Sequence, residues 1–226
     1  MIRSLLLLLV VLAFGAPAKA APAKDWSRTV TLTKEGAHLI GNPAAKTLLV
    51  EYVSYTCPHC AHFVAEGTAP LKAGWVSKGL VAVEVRNLVR DKYDLIAALL
   101  ARCGGPARFP GHHEAIFAAQ ESWFGKAMAL ENDVPDYPAS MGQGARMADI
   151  ANRIGLLALA AKHGVAPAQG RACLADQKAV DMVLAMTRRA MEGDHVTGTP
   201  AFLLNGTLTD AHDWARLRGL LPAPAK

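Results

Sequence analysis

Cys57-Pro58-His59-Cys60 stands just beyond the apolar run Thr47-Leu48-Leu49-Val50-Glu51-Tyr52-Val53, with only Ser54-Tyr55-Thr56 between. The run has the length and composition of a buried central strand. After the cysteines, Phe63, Val64, Leu71 and Trp75 recur at roughly helical spacing, and Pro58 suits a first helical turn, where its missing N–H would have no partner anyway. The chain therefore passes from strand to helix with both cysteines at the junction.

The rest of the chain fits a layered α/β domain around that junction. Trp26 to Thr33 reads as a short strand and Gly41-Asn42-Pro43 as a turn. Gly79 closes the helix, and Val81, Val83 and Val85 alternate with Ala82, Glu84 and Arg86, as in a second strand with one covered face. From Asp91 to about Glu192 the texture is alanine-rich helix. One apolar stripe runs through Met147, Ile150, Ile154, Leu157 and Ala161 up to Gly164, and another through Val180, Val183, Leu184, Thr187 and Met191. Strand returns at Thr199 to Leu204, Asn205-Gly206 makes a tight hairpin into Thr207-Leu208, and a last helix carries Trp214, Leu217 and Leu221.

Residues 1–20 are set aside. Arg3 precedes the apolar stretch Leu5 to Phe14, and Ala18-Lys19-Ala20 supplies small residues for cleavage, so the segment reads as a signal peptide. It is well short of the roughly 18 apolar residues of a membrane-spanning helix. Export matters chemically because disulfides persist outside the cytoplasm. The 226 residues carry a net charge of +5 and no basic run with interleaved aromatics, which gives nucleic acid little support as a partner. Four cysteines are too few to replace a core with staples, so each needs its own explanation.

A Cys-x-x-Cys pair that opens a helix has a specific logic. Backbone donors and the helix dipole favour negative charge on the first cysteine, so Cys57 is the expected low-pKa thiolate and Cys60, one turn inward, the shielded resolving thiol. His59 adds a donor and, when protonated, a positive charge that lowers the Cys57 pKa further and weakens the disulfide. The alternative is half of a zinc site completed by His62 or by His112 and His113. Against it, Cys103 and Cys173 stand alone instead of forming a second close-spaced ligand pair. In an oxidising compartment those two either form a structural bridge or remain separate buried thiols.

Glu51-Tyr52-Val53-Ser54-Tyr55-Thr56-Cys57-Pro58-His59-Cys60, then a long helical stretch, then Gly198-Thr199-Pro200, resembles the DsbA family of periplasmic thiol-disulfide oxidoreductases. The resemblance implies a thioredoxin-like α/β fold at residues 21–90 and 193–226 with an all-helical insertion at residues 91–192. By the same resemblance Cys57 is the attacked and attacking sulfur and Cys60 resolves it. Glu51 is a buried acid that helps move a proton to and from Cys60, the alternative being a solvent-facing edge position. Pro200 is a cis-proline that presents the Thr199 backbone to an extended substrate chain, where the base rate alone would favour a trans bond.

The implied function is export to the periplasm and donation of the Cys57–Cys60 disulfide to folding proteins with free thiols. The resemblance further implies a quinone-linked membrane reoxidant of the DsbB type and no flavin, nicotinamide or metal cofactor. Two features depart from the pattern. Thr199 stands where the best-known oxidases have valine, as in isomerase relatives, which points to a less oxidising site, and the insertion is longer than the family leads one to expect. Isomerases resembling this fold oligomerise through a long N-terminal extension. Only residues 21 to about 46 precede the central strand here, which favours a monomeric oxidase over the isomerase or reductase alternative.

Overall fold

A computed structural model describes residues 24–133 and 135–224 of the chain; the signal peptide read at residues 1–20 lies outside them. Six strands form one sheet: β1 (Val30–Leu32), β2 (His38–Ile40), β3 (Thr47–Val53), β4 (Val81–Asn87), β5 (Ala201–Leu204) and β6 (Thr207–Leu208). Their order is β1-β2-β4-β3-β5-β6. β3 and β4 pair in parallel, and the other neighbours are antiparallel. The parallel pair needs a crossover, which α1 (Pro58–Leu71) and the π-type turn Lys72–Val76 supply.

Between β4 and β5 the chain forms α2 (Lys92–Arg102), α3 (Phe109–Ala118), α4 (Gln120–Glu131), α5 (Gln143–Arg153), α6 (Leu156–Lys162), α7 (Pro167–Leu174) and α8 (Gln177–Arg188). A four-residue α9 (Trp214–Leu217) follows the sheet. One face of the sheet, with Leu49, Val53, Val83, Val85 and Phe202, shares a continuous core with Phe63 and Leu71 of α1 and with the helices after β4. The other face, with Val50, Tyr52, Ala201 and Leu203, packs on Ala190 and Val196 just beyond α8. The sheet is thus covered on both sides, and the carboxyl end of central β3 opens directly into the start of α1.

Several sequence expectations need correction. Trp26–Arg28 is a 3-10 turn, so the first strand shrinks to three residues, and β2 went unread because it is equally short. β4 is covered on both faces, with Ala82 and Glu84 buried. Its charges are held inside a network: Arg86 bonds Glu84 at 2.7 Å and Asp194 at 3.0 Å, and the Tyr52 hydroxyl donates to Asp194 at 2.7 Å. The helical stripes also lose their last members. Gly155, at φ 85°, breaks the first between α5 and α6, so that Ala160 is buried and Ala161 exposed. A π-type turn over Arg189–Gly193 shifts the second, burying Ala190 and leaving Met191 61% exposed.

Candidate active site

Cys57 caps α1 in extended conformation and Pro58 occupies the first helical turn. The short loop before it is pinned from both sides. Within the loop the Cys57 N–H donates to the Ser54 carbonyl at 3.1 Å. From α4, the Gln120 amide donates to the carbonyls of Tyr55 at 2.8 Å and Cys57 at 2.9 Å. From α2, Asp94 accepts the Tyr55 N–H at 2.7 Å and the Arg90 N–H at 3.0 Å. The Asp91 carboxylate caps α2 through the N–H groups of Tyr93 and Asp94 and also accepts the Thr56 hydroxyl at 2.7 Å. The Tyr55 hydroxyl meets His113 Nδ1 at 2.9 Å. The helices after β4 therefore hold the cysteine loop in place.

Cys57 and Cys60 are both thiols, buried to 3% and 0% exposure. They differ in surroundings. Cys57 lines a groove of about 440 Å³ together with Pro58, His59, Leu88, Arg90 and Thr197 to Thr199, and Cys60 does not reach it. The Cys57 thiol is lowered from its ordinary value near 9 to about 5, chiefly because the Cys60 thiol donates to it; burial opposes this, while the Thr199 side chain and the backbone N–H groups of Cys60 and His59 assist. The Cys57 thiol also donates to the Thr199 carbonyl at 3.1 Å. That bond favours the protonated form and the Thr199 hydroxyl the thiolate, and with the Cys60 donor added the thiolate wins. Burial and the neighbouring Cys57 push Cys60 the other way, well above the ordinary thiol range.

His59 follows Pro58 in the first turn of α1. Its imidazole is exposed and has no hydrogen-bond or ion-pair partner among the described residues, and its backbone N–H helps to lower the Cys57 thiol. The Thr199–Pro200 peptide bond is cis, and Pro200 leads directly into β5. Thr199 is thereby set against the Cys57 sulfur.

Glu51 lies on β3 in register with Val85 of β4 and Phe202 of β5. It is buried, not at a solvent-facing edge, and its Oε1 has no hydrogen-bond partner. Burial pushes the carboxyl up to about 8, so it is predominantly protonated at neutral pH. It borders a small cavity of about 40 Å³ near His113 and the Lys72–Glu114 ion pair, which closes at 2.9 Å.

The remaining candidates sit elsewhere. Cys103 and Cys173 are bonded to each other with Cα atoms 5.7 Å apart, linking the end of α2 to α7. His62 pairs with Glu66 on α1 at 3.2 Å, and His112 Nε2 meets the His163 carbonyl at 2.9 Å. Among the described residues no group of three or more His, Cys, Asp or Glu side chains is placed to hold a metal ion. Nor is any described helix long and apolar enough to cross a membrane. Asp94, Gln120 and Arg90 are site residues that the sequence reading missed. Asp91 and Asp94 just ahead of an apolar run do carry a helix-start signature, whereas nothing around Gln120 signals a reach of 63 residues back to Cys57.

A dithiol at a strand-to-helix junction, faced by a cis-proline loop of the same sheet, defines a thioredoxin-fold thiol protein. The chain matches the thioredoxin family over residues 33–223 and belongs to it. A solved protein-disulfide isomerase from Novosphingobium aromaticivorans is 38% identical with a TM-score of 0.74, over 82% of this chain and 95% of that one. The alpha-DsbA1 of Wolbachia pipientis shares the fold at 21% identity and a TM-score of 0.62, over 84% and 90% of the two chains. Relatives in Rickettsia bellii and Rickettsia typhi, both described as protein-disulfide oxidoreductases in their names, are 29% and 30% identical over 177 and 173 residues. These alignments cover 78% and 76% of this chain but 60% and 56% of the relatives, so the chain spans less than two thirds of their length.

Proposed function

We propose that the protein is an exported protein thiol-disulfide oxidoreductase whose Cys57–Cys60 pair passes a disulfide to folding proteins. The observation that carries this reading is the opposed chemistry of the two sulfurs: Cys57 borders an open groove and favours the thiolate, while Cys60 behind it favours the thiol. A thiolate that is stable in the reduced enzyme is a good leaving group, and a couple that stabilises its reduced form is oxidising.

In the oxidised enzyme a client thiolate attacks Cys57 Sγ. The Cys57–Cys60 bond breaks, and Cys60 leaves with the electron pair and takes up a proton. Glu51, protonated at neutral pH and buried in the neighbouring core, suits the role of that proton's source. A second client thiolate then attacks the client sulfur of the mixed disulfide, and Cys57 leaves as a stable thiolate. The client loses two electrons and the enzyme gains them as a dithiol. Turnover then requires reoxidation, for which the family resemblance supplies a quinone-linked membrane protein of the DsbB type.

Thr199 favours a second reading, disulfide isomerase, and the Novosphingobium relative is named as one. Two substrates separate the readings. Oxidised protein is given a reduced unfolded client, and reduced protein a client with scrambled disulfides. Fast oxidation with poor unscrambling supports the donor role, the reverse pattern supports the isomerase, and no exchange at Cys57 with either client overturns both.

A further inference from the structure

We propose that the groove beside Cys57 selects client thiols that have a carboxylate close by in their sequence, and that Arg90 is the specificity-determining residue. This rests on the exchange at Cys57 argued above and adds the chemistry of the client.

Arg90 lines the groove together with Leu88, with Thr197 to Thr199, and with Cys57 and His59 from the start of α1. No aspartate or glutamate lines it. Arg86, Arg153, Arg189 and Arg216 all hold carboxylates. The exposed Arg90 guanidinium, by contrast, makes no hydrogen bond or ion pair among the described residues. Its root is nonetheless fixed, because its backbone N–H is held by buried Asp94 at 3.0 Å.

The acids nearby are committed elsewhere. Asp91 spends its oxygens on two N–H groups of α2 and on the Thr56 hydroxyl. Asp94 spends both of its own on the backbone of Tyr55 and Arg90. Asp194 is taken by Tyr52, Arg86 and Arg189. These bonds to neutral groups leave the Asp91 charge in place, but no carboxylate oxygen of the described residues pairs with the Arg90 guanidinium, so it stays open to a direct ion pair at the groove.

An arginine that merely solvates the surface would have no effect on which thiol reacts. This one borders the same groove as the reacting sulfur. A client lying extended along Thr199 carries residues i and i+2 on one side, about 7 Å apart, so a charge two positions from its cysteine travels with the thiol into the groove. A carboxylate there also makes its own thiol a weaker acid. Arg90 opposes that handicap by pairing with the carboxylate in the encounter.

The test uses two dithiol peptides that differ only in having Glu or Lys two positions from the cysteine. Each rate of oxidation by the oxidised full-length protein is divided by that peptide's rate with hydroxyethyl disulfide, a neutral oxidant, which removes the intrinsic thiol difference. The expected result is about a threefold preference for the Glu peptide at low salt, the size of an exposed ion pair, fading at high salt. Arg90→Gln should abolish the preference and Arg90→Glu invert it, each read as the ratio of the two peptides so that a common shift of the Cys57 titration cancels. Equal normalised rates in the wild type, or a preference that survives Arg90→Gln, overturn the proposal while leaving the exchange chemistry standing. A shift of the Cys57 titration in Arg90→Gln without any charge preference overturns it too, by assigning Arg90 to the sulfur instead of the client. If neither peptide is oxidised, exchange at Cys57 itself fails and the selectivity falls with it.

Discussion

Asp94 accepts the backbone N–H of Tyr55 at 2.7 Å, across 39 residues of sequence. This bond ties the first turn of α2 to the loop that delivers Cys57, so the helical segment after β4 supports the site as well as covering the sheet. Three further bonds reach the same loop, one from Thr56 to Asp91 and two from Gln120 to the carbonyls of Tyr55 and Cys57. The position of the reactive sulfur is thus set by long-range polar contacts more than by α1 alone.

Replacing Asp94 by alanine leaves the Tyr55 and Arg90 N–H groups without their acceptor. A buried unpaired donor costs about 1–3 kcal/mol, so Asp94→Ala should destabilise the protein by a few kcal/mol in denaturant titrations and slow alkylation of Cys57 at fixed pH. Asp94→Asn keeps one acceptor oxygen and should fall between the two. Unchanged stability and reactivity in Asp94→Ala would mean that the loop holds itself.

The two thiols should titrate apart. Thiolate absorbance of the reduced protein should show a single transition near pH 5, the Cys57 value, and brief alkylation at pH 7 should label Cys57 while sparing Cys60. The linkage has a definite sign. Cys57 is lowered on folding, so the stability it contributes is fully present above the unfolded thiol value near 9 and is lost as pH falls to about 5. The oxidised protein lacks this ionisation. The stability of the reduced form relative to the oxidised form should therefore shrink between pH 9 and pH 5, as measured by parallel denaturant titrations.

Loss of the Cys103–Cys173 link should cost stability without touching exchange. The bridge spans 70 residues, and closing a loop of that length in the unfolded chain is worth about 4 kcal/mol. A Cys103→Ser/Cys173→Ser double variant should unfold at lower denaturant while the Cys57 thiolate still titrates at the same pH. Non-reducing peptide maps of the wild type should recover the two cysteines as one linked pair, and free thiols at both positions would remove the basis of the prediction.

How much of this could be read from the sequence depends on the range of the interaction. β3 and the start of α1 were legible to the residue, because an apolar run followed by Pro58 is a local signal. The Asn205-Gly206 hairpin was legible for the same reason, both residues adopting positive φ. Ala161 and Met191 misled because a helical stripe assumes unbroken phase, and Gly155 and the turn at Arg189–Gly193 each reset it. Glu84 and Arg86 read as a wet face because alternation cannot tell water from a partner such as Asp194. Gln120 and Asp94 stayed hidden since their partners lie 63 and 39 residues away, where no period reaches.

Glu51 should be the residue that bends the pH–stability profile. Its folded value of about 8 lies above the ordinary 4.5 because burial disfavours the carboxylate, and no partner compensates its Oε1. For a carboxyl raised on folding, the protonated state holds full stability below the unfolded value, and that stability is lost as pH rises through the folded one. The window is therefore pH 4.5 to 8. Glutamine has nearly the same volume and cannot ionise, so Glu51→Gln should gain on the wild type progressively across that window, by at most about 1.4 kcal/mol for each pH unit. Asp94, also raised by burial to about 7, is present in both proteins and cancels from the comparison. If Glu51 also passes a proton to Cys60, as its place in the proposed cycle requires, Glu51→Gln should slow formation of the mixed disulfide between the oxidised protein and a client thiol while leaving the Cys57 titration in place. A parallel stability profile in the two proteins would show that Glu51 does not titrate as a buried acid, and an unchanged rate of mixed-disulfide formation would remove it from the proton path.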